Sequence, residues 1–413
     1  MEPKLNLFID KESCCGCYAC VNVCTKSAIR MEEDENGFIY PKIDETKCIL
    51  CGACERVCAY KGDVEMSYPI KGYAAVNKNK KQTSKSASGG LFAALATSII
   101  NQGGVVFGAA YDYQKNRVIV KHIAVKSIEE LYRLQGSKYV QSDMGDIYLQ
   151  VKHVLNSGVK VLFSGTPCQV GALKKFLRKE YENLYTIDII CHGIPNQKIF
   201  NDYIHCLESK NNITIKNFSF RDKSKAWQDY YLLYDGKLGN ERKYKNKEIW
   251  WKHSSYFYYF IKCYIYRINC YSCKYACEKR IGDITLGDYW GIEKQHKELF
   301  RDKKWINYWY KGISCVLVNS YRGHELFYVT MPNLDIVEST PAKIISGNGQ
   351  LKHPSCLNKS KRDKILGLYS EDGYEAIDKA FTSTISYKEK LKQCIKSKIP
   401  LSLKKSIRIL IGL

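Results

Sequence analysis

Apolar and polar positions change their rhythm several times along this chain. Residues 1–65 carry no long periodic apolar segment, as expected of a small α+β domain organised by something other than an apolar core. A polar stretch, NKNKKQTSKS, leads into SGGLFAALATSIINQGG, whose apolar residues and Gly103–Gly104 stop predict a helix of about four turns. GVVFGAAY then reads as a buried strand. Alternation follows: a helix near Asp146–Asn156, the strand VKVLFSG, a helix near Val170–Arg178, the strand LYTIDIIC and a helix near Lys198–Glu208. Strands alternating with helices predict an α/β (α+β) core around a mixed sheet. Residues from Ile213 to Phe260 are aromatic-rich and less regular. Tyr387–Leu413 alternates lysines with Ile and Leu, and Pro400 breaks any single long helix. That tail is a short basic amphipathic segment suited to an anionic membrane surface, a partner, or its own domain. These shifts divide the chain at 1–65, 66–150, 151–380 and 381–413.

Composition narrows the class. The 413 residues are 45% hydrophobic and 26% charged, and no uninterrupted apolar run approaches the ~20 residues of a membrane-spanning helix. The start, MEPKLNLFIDKE, lacks the basic-then-apolar pattern of a secretory signal, so a cytoplasmic protein is expected, with the tail free to touch the inner face of the membrane. In a reducing compartment the 19 cysteines read as metal ligands before disulfides. The formal charge of +22 permits nucleic-acid binding, but no helix-turn-helix, zinc-finger or aromatic RNA-binding signature accompanies it, so no nucleic-acid partner is expected.

The chemistry is concentrated in two cysteine runs. Cys14-x2-Cys17-x2-Cys20-x3-Cys24 is repeated as Cys48-x2-Cys51-x2-Cys54-x3-Cys58. In this spacing three thiolates wrap one [4Fe–4S] cubane and the fourth ligates the other cluster. One cluster is therefore assigned to Cys14, Cys17, Cys20 and Cys58, and the second to Cys48, Cys51, Cys54 and Cys24. Thr25 and Ala59 stand where a proline usually follows the fourth cysteine. Cys15 is left over as a small packed or bystander thiol. Zinc sites of four ligands rarely repeat this run.

Four features lie downstream: SASGGLF, GSKYVQS, SGTPCQV with IICHG, and CYSCKYACEKRIGDITLGDYWG. Ser88-Gly89-Gly90 opening a helix offers bare N–H groups and a positive dipole end for a phosphate or a reduced flavin. Cys168 and Cys191 each follow a predicted strand, where ligands collect in α/β sheets. Cys270-x2-Cys273 supplies two further soft ligands, so these four can form a metal site. Cys277 is an alternative to Cys273. Cys206, Cys263, Cys315, Cys356 and Cys394 have no partner at ligand spacing and read as small buried side chains.

SGG, GSKY, GTPCQ, CHG, C-x2-C and GDITLGDYWG occur in the order found in a known family. Over roughly Met1 to Leu334 the sequence resembles the beta subunit of coenzyme F(420) hydrogenases and dehydrogenases, in its bacterial branch with a fused N-terminal ferredoxin module. The resemblance implies that 66–150 is the flavin-binding N-terminal region of that subunit and 151–380 its C-terminal domain. It also implies a third [4Fe–4S] cluster on Cys168, Cys191, Cys270 and Cys273, and FAD against Ser88, Gly89, Gly90, Gly136, Ser137, Lys138 and Tyr139. Ferredoxin or a deazaflavin coenzyme is the implied carrier, and a sugar-derived molecule the implied substrate.

Together these cofactors would join two-electron to one-electron chemistry, with the protein placing and tuning the centres. Three clusters at about −2 each and a flavin dinucleotide would lower the net charge to roughly +14, which suits an acidic carrier. His192, between Cys191 and Gly193, is the candidate proton donor, and Lys138 a candidate for tuning the flavin. Asp283 and Asp288 read as turn and capping residues beside the C-x2-C. The function expected is an iron–sulfur flavoprotein oxidoreductase, and the alternative is a non-catalytic electron-transfer subunit of a larger redox complex.

Overall fold

The computed structural model describes Leu7 and residues 10–114, 117–223, 231–238 and 244–386. The basic tail and Cys394 lie outside these residues. Strands β1 (Ile29–Glu33) and β2 (Ile39–Ile43) pair as an antiparallel hairpin between the two cysteine runs. In chain order there follow β3 (Lys71–Asn77), β4 (Val105–Gln114), β5 (Arg117–Val125), β6 (Val161–Gly165) and β7 (Leu184–Ile189). Next come β8 (Ile213–Asp222), β9 (Tyr231–Leu238) and β10 (Tyr244–Trp250), then β11 (Ile284–Asp288), β12 (Ser314–Val318) and β13 (Leu334–Ser339).

Eight of these strands form one mixed sheet in the order β13-β3-β12-β11-β7-β6-β4-β5, so both sides of position 150 contribute to it. Its centre, β4, β6, β7 and β11, is parallel, and antiparallel strands flank it on either side. Parallel strands are covered on both faces and read as continuous apolar runs. Val105–Phe107 and Val161–Phe163 are such runs, and all six residues are buried. The residues of each run alternate between two cores. Val106 and Leu162 face helix Leu91–Ile100, whereas Phe107 and Phe163 face helices Ile147–Asn156 and Pro167–Leu177.

Two elements differ from expectation. The helix after SGG has ten residues, Leu91–Ile100, because Gly90 is spent in a left-handed turn (φ 81°) before it and Asn101–Gly103 form a turn after it. That is under three turns, not four. The Ile213–Phe260 region is regular: β10-β9-β8 is a three-stranded antiparallel sheet, followed by helix Ser255–Ile261. Its rings assemble with helices Gln197–Asn211 and Lys359–Ser383 into a separate aromatic core containing Tyr203, Phe218, Phe220, Tyr256 and Tyr374. No helix among the described residues is long and apolar enough to cross a membrane.

Candidate functional site

In the N-terminal module, each cysteine run turns into a short helix, Ala19–Val23 or Ala53–Arg56, through a left-handed residue at φ 67°: Tyr18 in the first run and Gly52 in the second. Cys14, Cys17, Cys20 and Cys58 wall one small cavity together with Cys15, Cys54 and Tyr60. Burial raises the Cys14 and Cys20 thiols, and the neighbouring thiolates of the same set push them further in that direction. Cys24 and Cys54 pack in an apolar cluster with Leu7 and Ile29, while Cys51 is exposed.

Core side chains hold the cluster-binding turns by their carbonyls. Arg267 is fully buried; its Nε donates to Cys14 O (2.7 Å), its Nη2 to Cys14 Sγ (3.5 Å), and its guanidinium covers the Tyr40 ring at 4.1 Å. Gln141 Nε2 donates to Cys15 O and Gly16 O, and Tyr275 OH to Ala59 O (2.9 Å). Gly16 takes φ 65°, and a Cβ there would meet Gln141 Nε2 at 2.5 Å. Only glycine permits both the turn and the approach.

The second set of thiols sits at the carboxyl ends of the parallel strands. Thr166, after β6, forms a capping box with Gln169 and starts helix Pro167–Leu177. Cys168 lies in its first turn, with Thr166 Oγ1 3.2 Å from its sulfur. The Cys15 thiol, opposed by burial and helped by Thr166 and by helix N–H groups, lowers the Cys168 pKa. Cys191 follows β7, and burial, with the charges of Cys168 and Cys273, pushes it up to about 12. Cys270 and Cys273 come from the 3₁₀ turn Ile268–Ser272 and its cap. That segment is anchored to β7 by the buried Arg280–Asp188 pair (2.9 Å), while Asp188 also accepts from Ile281 and Gly282 N–H.

Cys168, Cys191, Cys270 and Cys273 line one cavity, and Cys277 does not; its sulfur faces the carbonyls of Lys274 and Lys279. No three histidine, cysteine or carboxylate groups among the described residues close to the spacing of a single metal ion. A cubane takes a wider set, one thiolate to each iron. The donor chemistry, the four thiols of Cys168, Cys191, Cys270 and Cys273 around one cavity that Cys15 also lines, fits such a cluster.

A larger cavity of about 330 Å³ adjoins it and shares Thr166 and Cys191–Ile194 as its wall. Ser88, Gly90, Gly136, Ser137, Lys138 and Tyr139 line it. The helix Leu91–Ile100 opens onto it with no side-chain cap, and the buried Ser88 Oγ has no hydrogen-bond partner among the described residues. Free N–H groups at a helix start together with an unpartnered hydroxyl fit the phosphates or ring edge of a flavin nucleotide.

Known proteins share parts of this architecture. Residues 158–342 match the family described as the C terminus of the coenzyme F(420) hydrogenase/dehydrogenase beta subunit, and residues 13–61 match the 4Fe-4S dicluster domain. The chain carries both domains. Over those residues it is similar to an iron–sulfur dicluster domain and to the C terminus of the F(420) hydrogenase/dehydrogenase beta subunit. No curated protein matches it. Among solved structures, a chain of the F(420)-reducing [NiFe] hydrogenase complex from Methanosarcina barkeri aligns with a TM-score of 0.43 and 14% identity, over 77% of this chain and 93% of that one.

At the large cavity, Gly89 stands apart from the other SGG residues. It packs behind the cavity wall, where a Cβ would meet Ala75 O at 2.4 Å. Lys138 Nζ donates to the carbonyls of Arg133, Gln135 and Gly136, so it clamps the turn that carries Gly136, and burial pulls its pKa down to about 7. Tyr139 packs against Phe220, Phe257 and Phe260. His192 lines both adjoining cavities, and burial lowers its pKa. Asp283 is a structural tie, accepting from Thr186 and Ser320, whereas Asp288 pairs with Arg221 (3.0 Å) at the large cavity.

Sequence reading missed Arg221 and His122, which also line this cavity, and Asp188, which anchors the segment carrying Cys270 and Cys273. Arg221 reaches it from β8, in the region expected to be irregular. No spacing signal marks any of the three. Among the unassigned thiols, Cys206 and Cys315 are buried as expected, whereas Cys356 is exposed because it lies in the irregular segment before helix Lys359–Ser383.

Proposed function

We propose that this chain is an iron–sulfur flavoprotein oxidoreductase. It moves electrons between a carrier, ferredoxin or a deazaflavin coenzyme, and a substrate that binds at the large cavity. Two clusters belong to the N-terminal runs as assigned by spacing, and a third to Cys168, Cys191, Cys270 and Cys273. Ser88, Gly90 and Gly136–Tyr139 are the side of the large cavity that holds FAD. The supporting observation is the common wall: the cavity of Cys168, Cys191, Cys270 and Cys273 and the large cavity share Thr166 and Cys191–Ile194 in their linings.

FAD, when bound, supplies the exchange between paired and single electrons. The chain's own residues do the rest. The start of helix Leu91–Ile100, after Ser88–Gly90, offers N–H donors to anionic groups, and Lys138 fixes the Gly136 turn. Arg221, braced by Asp288, presents positive charge to the cavity. His192 is the proposed proton donor at the partition, where burial lowers its pKa and so makes its imidazolium a stronger acid.

Anaerobic purification with iron, sulfide and flavin counts tests the reading. The expected result is about twelve irons, three cubanes' worth, and one FAD per chain. Reduced deazaflavin, ferredoxin and nicotinamide are then compared as donors. A chain that saturates at four or eight irons, or takes up no flavin on reconstitution, refutes it.

A further inference from the structure

Two cysteine-walled cavities abut in this molecule, and two residues belong to both walls. Cys15 and Tyr60 line the cavity of Cys14, Cys17, Cys20 and Cys58 and also that of Cys168, Cys191, Cys270 and Cys273. The buried Cys15 thiol stands between the two cavities, facing Cys17 in one and Cys168 in the other. Tyr60 OH donates to Cys273 Sγ at 3.6 Å. In sequence, Cys15 adjoins Cys14, and Tyr60 stands two residues after Cys58. Each thus ties the N-terminal set, through a few bonds, to a sulfur of the core set. The partition is held in place, because Gln141 grips the carbonyls of Cys15 and Gly16 and Tyr275 that of Ala59. By contrast, Cys24, Cys48 and Cys51 line neither cavity, and Cys51 is exposed.

We propose that Cys15 and Tyr60 form the electronic contact between the Cys14–Cys17–Cys20–Cys58 set and the core set, with Cys15 a positioning residue and not a cluster ligand. The set of Cys24, Cys48, Cys51 and Cys54 is then the outer end of the series. The inference rests on the three-cluster reading given above. In the step concerned, a one-electron carrier supplies the electron. It leaves the cluster of the N-terminal set, which is oxidised by one electron, and enters the core cluster, which is reduced by one. No atom or proton moves. Tunnelling decays less steeply through bonded and hydrogen-bonded atoms than through empty space, so the Cys15 side chain between the two cavities and the Tyr60 O–H···S bond are the favoured route. Hydrogen bonds to cluster sulfurs also set the potential.

The test uses the full chain, loaded anaerobically, as wild type, Cys15→Ala, Cys15→Ser, Tyr60→Phe and the double variant Cys15→Ala/Tyr60→Phe. Iron content, electron paramagnetic resonance redox titration and freeze-quench after mixing with dithionite are read on each. The expected result is unchanged iron, a lower core-cluster potential in Cys15→Ala that Cys15→Ser partly restores, and severalfold slower arrival of the electron at the core cluster in the double variant. A Cys15→Ala chain that loses one cluster's iron makes Cys15 a ligand and overturns the proposal. Unchanged potential and rate across all variants, in a chain whose wild type holds three clusters, also overturn it. A wild type that lacks the core cluster instead removes the three-cluster reading, and the proposal with it.

Discussion

At the residue scale, His122 shows how the cavity is built on a neutral base. Its Nε2–H donates to Ser164 O (3.1 Å), and its Nδ1 accepts from Ser142 Oγ (2.9 Å), which in turn accepts from Gln169 Nε2. A proton on Nδ1 would face a donor in a buried site. Burial accordingly lowers its pKa to about 4, against about 6.5 for an unperturbed histidine. The unfolded chain therefore binds a proton below pH ~6.5 that the folded chain refuses, so stability falls as the pH drops from there towards 4. The full loss is about 3 kcal/mol, and roughly half of it is reached by pH 5.5. The thermal midpoint of wild type is expected to fall more steeply between pH 7.5 and 5.5 than that of His122→Asn. Parallel pH curves for the two proteins would show that His122 is not the group concerned.

At the element scale, the SGG turn joins a helix to two strands. Gly89 N–H donates to Ser314 Oγ (3.0 Å), and Gly89 O accepts from Asn77 N–H (2.8 Å), so the turn is stitched to β12 and β3. A methyl at this position would meet Ala75 O at 2.4 Å and Ser314 N at 2.8 Å, both backbone atoms of the sheet. The sheet cannot yield, so the helix start must. Gly89→Ala is expected to cost about 1–3 kcal/mol as overpacking and to lower flavin content severalfold after reconstitution. Ser88→Ala, which adds no bulk, should lower flavin binding without lowering the thermal midpoint. A Gly89→Ala chain with full flavin and an unchanged midpoint would contradict the geometry.

At the scale of the whole molecule, the N-terminal module is fastened by its own cluster-binding turns. Arg267, Gln141 and Tyr275 each hold a carbonyl of those turns, and Asn196 Nδ2 donates to Asn36 O (2.8 Å) near the hairpin. The thiols of the core and of the first set are half-buried and line the two cavities of this junction, whereas Cys51 of the second set is exposed although its Cys54 is buried. Oxygen should therefore reach the second set first. On brief exposure to air, iron per chain is expected to fall from about twelve to about eight and pause there, with the exposed set's signal lost from the spectrum. Loss of all three clusters in step would show that exposure does not govern their lability.

Much of this was legible from local pattern. The four-cysteine runs, the strand and helix alternation from Val105 to Asn211, and the strand-end positions of Cys168 and Cys191 follow from spacing and periodicity, which depend on near neighbours in the chain. The aromatic sheet was not legible, because rings spread along β8–β10 acquire a common core only when helix Lys359–Ser383 packs on them. Around the large cavity, Ser88, Gly90, Gly136–Tyr139 and His192 were legible as motif residues, whereas Arg221 and His122 were not, since they come from separate strands and meet only in the fold. Sequence by itself determined which thiols are grouped in runs and which lie at strand ends. Tertiary packing alone decided that Cys15, with no partner at ligand spacing, stands between two of those groups, because contact between residues 15 and 168 exists only once the module is seated on the core.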